Sequence, residues 1–348
     1  MSQPALPGAV LRDDPDLTER QRALFGALVE LHRRHARPVG SEALHARSGV
    51  ALSSAGVRAE LAELEARGLL ERGHASAGRV PSAAGWAYWV RHLMAPAPVS
   101  PEVEARIRAV LAHSAHDVES LLQEASRLLS DLTRQIGLAR ADSLDRETLT
   151  RLDVVPLGER RVLLALNLGG ALARTLALEL ESPLAPDELD EVGAVLRERL
   201  LGRTLAEVRE RLDHDPELVR HSAARLVARA LRGQWAQPVR TPLLAAGASH
   251  IAGQPEFADG PRLAPVLRAI EGGPPIDRLL AGSLEGQAAA RVGLEPDGAL
   301  SALSLVSVAL PGPVPGAVGV LGPLRMDYAL AFAVVDAVGQ RLGELLDA

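Results

Sequence analysis

Within residues 38–94 the apolar spacing passes from helical to a two-residue alternation and back to helical, an order that few small folds accommodate. The stretch reads PVGSEALHARSGVALSSAGVRAELAELEARGLLERGHASAGRVPSAAGWAYWVRHLM. A short helix starting at Ser41 gives way at Gly49 to the turn GVAL, and a second helix begins after Ser53, whose hydroxyl can accept an N–H of the first turn. Val57, Leu61 and Leu64 predict its buried stripe, with Ser54, Ala55, Arg58 and Ala59 on the other side. Small residues around one arginine permit close approach to a groove, and Arg58 has the reach and donor fork for guanine O6/N7 or a phosphate. Ser41, Ser53 and Ser54 stand at helix starts, where phosphates are favoured. Gly68 ends the second helix. Residues 69–72 and 80–81 then predict two short strands around a small-residue tip, residues 74–79, with His74, Ser76 and Arg79 as its polar and basic groups. The expected module is a winged helix-turn-helix whose DNA-facing residues are Ser41, Ser53, Ser54, Arg58, His74, Ser76 and Arg79.

Charge is distributed as such a module requires. The 348-residue chain carries a net charge of −6, yet residues 18–95 hold 11 arginines against seven glutamates and no aspartate. The remainder holds 27 arginines against 37 acids, so a basic module precedes an acidic body, which suits a DNA binder whose other domains stay off the duplex. All 38 Lys+Arg residues are arginine, which excludes a P-loop lysine, a pyridoxal Schiff base and a kinase phosphate-pairing lysine. With no cysteine there is no disulfide, thiolate nucleophile or Cys-ligated zinc, and a cytoplasmic location is expected. The start MSQPALPGAVLRDDPD has neither the charge nor the apolar run of a signal peptide. His32 with His35, and His113 with His116 and Asp117, have helical spacings that would suit a metal but lack a third ligand nearby. No GxSxG or dinucleotide fingerprint occurs, so neither an enzyme nor a cofactor is expected.

Beyond the module the periods alternate. Residues 1–16 form a lead, and residues 17–95 the DNA-binding domain, whose first helix opens with the capping box Thr18–Gln21. Arg33, Arg34 and Arg37 close that helix, where the helix dipole and a phosphate would each favour cations. Residues 102–138 predict one long helix with heptad spacing, built on Ile107, Leu111, Val118, Leu121, Ala125, Leu128 and Leu132, to pair with a second subunit or to pack on its own sheet. Residues 152–156, 161–168 and 173–180 predict strands, the segment after Pro183 as far as Leu231 helices, and the 27 uncharged residues 298–324 two buried strands around a proline-rich turn rather than a membrane span. The final helix, residues 327–346, closes the sheet. The fold class expected is α+β and multidomain.

The same residues resemble the heat-inducible transcription repressors of the HrcA family. The resemblance rests on PVGS at residues 38–41, the second helix at residues 55–60, HASAGRVP at residues 74–81 and the aromatic helix at residues 85–90. Later matches are GASHIAGQPEFAD at residues 247–259, residues 292–295 and residues 319–328. The family's threonine and asparagine of the reading helix stand here as Gly56 and Ala59, so one base-reading amide is absent, and Pro296 replaces an asparagine. The resemblance implies a winged helix, a discontinuous GAF-like domain at residues 100–182 and 270–348, and an inserted dimerising domain at residues 183–269. It also implies a homodimer on the inverted repeat called CIRCE upstream of chaperone operons, supported by the chaperonin GroEL and released by heat. A winged-helix regulator answering to a small molecule in its sheet domain is the alternative.

Overall fold

The computed structural model describes residues 15–73, 78–114, 118–141, 148–168, 172–235, 243–258, 260–272, 274–294, 298, 300–312 and 314–347. The amino-terminal module runs α1 (Glu19–His35), α2 (Ser41–Arg47), α3 (Ser54–Ala66), β1 (Leu70–Arg72), β2 (Arg79–Pro81) and α4 (Ala83–His92). Thr18 and Gln21 form the capping box expected for α1. Strands β1 and β2 pair antiparallel, with Leu70 opposite Pro81 and Arg72 opposite Arg79. Leu24, Phe25, Leu28, Leu44, Leu64 and Trp86 fill the space between helices and hairpin.

The stretch expected as one long helix is two, α5 (Pro101–His113) and α6 (Val118–Thr133), followed by a strand, β3 (Ile136–Ala141). Ser114 caps the first of these helices. Leu138, at the end of the expected helix, lies in β3 and is fully buried. The chain then enters β4 (Leu149–Gly158), β5 (Arg161–Leu168) and β6 (Leu172–Glu179), and four helices, α7 (Pro186–Leu200), α8 (Leu205–His214), α9 (Pro216–Arg220) and α10 (Ser222–Trp235). It returns through β7 (Leu244–Ala246), α11 (Ala248–Ala252), a 3-10 turn (Pro255–Phe257), α12 (Gly260–Gly272) and α13 (Pro274–Ala281). Strands β8 (Ala289–Val292), β9 (Leu303–Ala309) and β10 (Gly316–Pro323) and the last helix, α14 (Tyr328–Asp347), complete it.

Among the described residues the body holds two sheets. One has the order β7-β3-β10-β9-β8, all antiparallel. Its alternating side chains serve two cores: Val306, Val308, Val318 and Val320 face the cluster that includes Val334 and Val338 of α14, while Leu303, Leu305, Ala317 and Leu321 join Ile251, Val266, Ile276 and Leu280. A sheet covered on both faces needs apolar residues at every position, which is why residues 303–323 read as a continuous run. At Gly137 a Cβ would stand 1.9 Å from the Ser126 carbonyl oxygen, so α6 lies against β3 more closely than any side chain permits.

The second sheet, β4-β5-β6, is separate from the first. Expected as part of the discontinuous sheet domain, these strands instead cover α7 and α10 with Leu152, Leu164, Leu166 and Leu178. β7, expected within the insertion, pairs with β3. The reason lies in the connections: strands separated by only two and three residues close a meander of their own, and α7–α10 supply the apolar face it needs.

Candidate nucleic-acid interface

The candidate reading face is built from α3. Its N-cap Ser53 accepts a hydrogen bond from the Gly56 N–H at 3.2 Å, as the local sequence predicts. Val57, Leu61 and Leu64 are buried, and Ala55, Arg58, Ala59, Ala62 and Ala66 are exposed. Glu60 ties the helix to α1, accepting from Arg20 at 2.8 Å and from the Gln21 side chain at 3.0 Å. The result is a row of methyl groups interrupted by one long cation, a surface that can approach base edges closely. Arg58 does not hang loose: its Nε donates to the Ser41 hydroxyl at 3.3 Å. Ser41 is the first residue of α2, with Gly40 as its N-cap. Ser54 departs from expectation, because its hydroxyl is buried without a hydrogen-bond partner and does not face outward.

The hairpin is anchored on two sides. Val39 and Arg79 exchange backbone hydrogen bonds, Val39 N–H to Arg79 at 2.8 Å and Arg79 N–H to Val39 at 2.9 Å, adding a third chain beside β2. A Cβ on Gly78 would lie 2.8 Å from Cβ of Pro38, so this close passage requires glycine. On the other side stands Glu65 of α3. One oxygen accepts from Arg72 Nε at 3.0 Å and the other from Arg79 Nε at 2.7 Å. Arg79, expected as a protruding finger, therefore has a side chain only 18% exposed, against 74% for Arg72. Desolvation alone would push the Glu65 carboxyl up, but the hydrogen bonds and charges of the two arginines outweigh it and hold it below the usual carboxylate range. His74 and Ser76 lie outside the described residues.

The module docks on the body through α1 and α4. Trp86 and Trp89 place their rings 6.0 and 6.3 Å from that of Tyr328, whose hydroxyl meets Ser304 at 2.7 Å inside the core. Arg33 donates to Asp327 at 2.8 Å. Beside them Arg325 and Glu256 form a two-pronged ion pair, its longer bond 3.0 Å. His32 sits at this junction, its ring 6.2 Å from Trp86 and its Nδ1–H donating to the Arg37 carbonyl at 2.9 Å. Burial pushes the imidazole below its ordinary value, although the Arg37 carbonyl and the Glu256 charge oppose this.

Three groups at this interface went unread in the sequence. Glu65 is one helical turn beyond Leu61 and offers no pattern until Arg72 and Arg79 are set opposite each other by the hairpin. Glu256 and Arg325 are 69 residues apart and only the fold joins them. Among the described residues no group of three or more His, Asp or Glu side chains could hold a metal, and no helix is long and apolar enough to cross a membrane.

A family model described as the HrcA protein C-terminal domain matches residues 119–331. The heat-inducible transcription repressor HrcA of Nitratidesulfovibrio vulgaris is 32% identical over 343 residues, spanning 95% of this chain and 96% of that protein. The repressor of the same name from Novosphingobium aromaticivorans is 33% identical over 343 residues, with 95% and 96% covered. That of Moorella thermoacetica is 30% identical over 339 residues, with 95% and 98% covered. A crystal structure described as a hypothetical protein matches with a TM-score of 0.70 at 20% identity, covering 95% of this chain and 99% of that one, a likeness of fold alone.

Proposed function

The chain belongs to the HrcA family of heat-inducible transcription repressors, and from that premise we propose that it represses as a homodimer, seating two copies of α3 on an inverted-repeat operator of the CIRCE type. The observation that carries the reading is the exposed α3 face, where Arg58 stands among alanines on a module richer in arginine than in acids. In this reading the amino-terminal module is a winged helix. Arg58 reaches a base edge or the backbone from the major groove, oriented by Ser41. Ser53 lies at the helix start near a phosphate, and the wing residues His74, Ser76 and Arg79 meet the backbone or the adjacent minor groove.

The five-stranded sheet with its two helical layers is the GAF-like domain, and the inserted dimerising unit is β4–β6 with α7–α10. This places the insertion earlier than residue 183 and ends it before β7. Support comes from the outer face of the three-stranded sheet. Register sets Val155, Leu163 and Ala177 side by side, opposite the buried Leu164, and Val155 and Leu157 are 43% and 51% exposed. An apolar strip of this kind is what a self-complementary two-fold contact covers. Two-fold pairing of the reading helices then matches a palindromic site. The protein acts in the cytoplasm, and a GroEL-type chaperonin returns it to the folded dimer after heat.

Gel-shift titration at one stated salt concentration tests this, with an inverted-repeat duplex, one half-site and a scrambled duplex. The dimer should prefer the full repeat, and Arg58→Ala should cost about 1–3 kcal/mol and flatten discrimination at one base pair per half-site. Equal binding to all three duplexes, or unchanged discrimination in the variant, overturns the reading.

A further inference from the structure

Arg72 and Arg79 are directly opposite on β1 and β2, an arrangement in which like charges repel across the ladder. The hairpin tolerates it because Glu65 reaches between them with one oxygen for each Nε, at 3.0 and 2.7 Å. The carboxylate belongs to α3, so the clamp joins the root of the wing to the reading helix itself. Val39 holds the far side of β2 through paired backbone bonds, and Gly78 lets that side close. The wing's angle to α3 is therefore set from both sides.

The second consequence is electrostatic. With Glu71 on β1, the two arginines give the hairpin a net charge of +1, and the Glu65 carboxylate brings it to zero. Non-specific attraction to DNA grows with the number of phosphates neutralised, so a carboxylate at this place weakens attraction to every sequence alike. Contacts from Arg58 to a base edge are untouched by that subtraction, because Arg58 is held by Ser41 in another part of the interface. Each clamp bond uses Nε, the shaft side of a five-donor fork, which orients the guanidinium without consuming its whole donor set.

Resting on the DNA-binding reading above, we propose that Glu65 is a specificity-determining and positioning residue: it fixes the wing to the reading helix through Arg72 and Arg79 and cancels one wing charge. Random duplex is thereby held weakly while the operator, engaged through α3, is held well. The proposal concerns this chain's discrimination between operator and bulk DNA, a property that a carboxylate serving the fold alone would not alter.

Full-length Glu65→Gln tests it, compared with the parent for operator and random-sequence duplex over a range of salt concentrations. Releasing one charge should steepen the slope of log K against log salt by about one and tighten random-duplex binding roughly tenfold near 0.1 M salt. The operator-to-random ratio should fall. The double variant Glu65→Gln with Arg72→Gln restores the net charge and should return the slope to the parent's value. Unchanged slope and ratio in Glu65→Gln overturn the proposal, as does a double variant that keeps the steep slope. Melting temperatures measured alongside separate a folding defect from a charge effect, because a defect lowers the melting point and weakens both duplexes without steepening the slope, and that result also counts against the proposal. If the parent itself shows no preference for an inverted repeat, the functional reading fails with it; if the parent shows one and Glu65→Gln leaves it intact, only the role of Glu65 fails.

Discussion

At the scale of single residues, His32 brings a titratable ring into the junction between module and body. Burial makes it a weaker base in the folded protein than its ordinary value of 6.5 in the unfolded chain. The unfolded state therefore binds the extra proton first, so the contribution to stability is fully present above 6.5 and drains away as pH falls below it. We expect melting temperature to fall between pH 7 and pH 5 more in the parent than in His32→Gln, with a slope difference of at most about 1.4 kcal/mol per pH unit, the limit for one proton. Parallel curves for the two proteins would contradict this. Ring and partners also show which parts of the site a sequence reveals. The Ser53 cap and the outward placement of Arg58 follow from local spacing, and both are found. The inward turn of the Ser54 hydroxyl and the capture of Arg79 by Glu65 depend on what α2, α3 and the hairpin do to one another, which no local pattern records.

At the scale of elements, the heptad run of residues 102–138 shows how far periodicity carries. Ile107, Leu111, Leu121, Ala125 and Leu128 are buried as the spacing requires. The partner is the protein's own sheet, since α6 packs on β3, β7, β10 and α14. A 3.5-residue repeat identifies an apolar stripe without identifying what covers it, and Leu138, at the end of the expected helix but off its repeat, belongs to a strand. Strand pairing with β10 overrode the helical pattern there. The meander β4–β6 and the pair β9–β10 were legible because each strand is bounded by turn residues; their assignment to sheets was not, because that depends on which helices arrive to cover them. Leu122 is fully buried in α6, in the cluster that includes Val318 and Val334. Leu122→Ala should therefore cost about 2–5 kcal/mol. The loss in melting temperature should be the same at every protein concentration. A loss that grows on dilution would return α6 to the role of an intersubunit seam.

At the scale of the whole molecule, the buried apolar residues run without a break from Phe25 and Trp86 through Tyr328 to the sheet and on to Leu164 of β5 and Leu196 of α7. The amino-terminal module is joined to that run by α4 against β8, by Trp86 and Trp89 against Tyr328 and by the Arg33–Asp327 pair. The Arg33–Asp327 pair, half exposed on its carboxylate side, contributes little, so apolar and ring packing of α4 on β8 and Tyr328 carries the docking. In the proposed dimer, two copies of α3 must keep a fixed spacing, and the operator is lost once either module swings free, before the sheet unfolds. Under that proposal heat acts on this joint, and the proposed chaperonin would meet the face of α4 that holds Trp86, 1% exposed when docked. Trp86→Ala should cost about 3–5 kcal/mol. In calorimetry it should separate a low-temperature transition of the module from that of the body, and operator binding should vanish with the first. A single undivided transition, with operator binding lost at the parent's temperature, would show that the joint is set elsewhere.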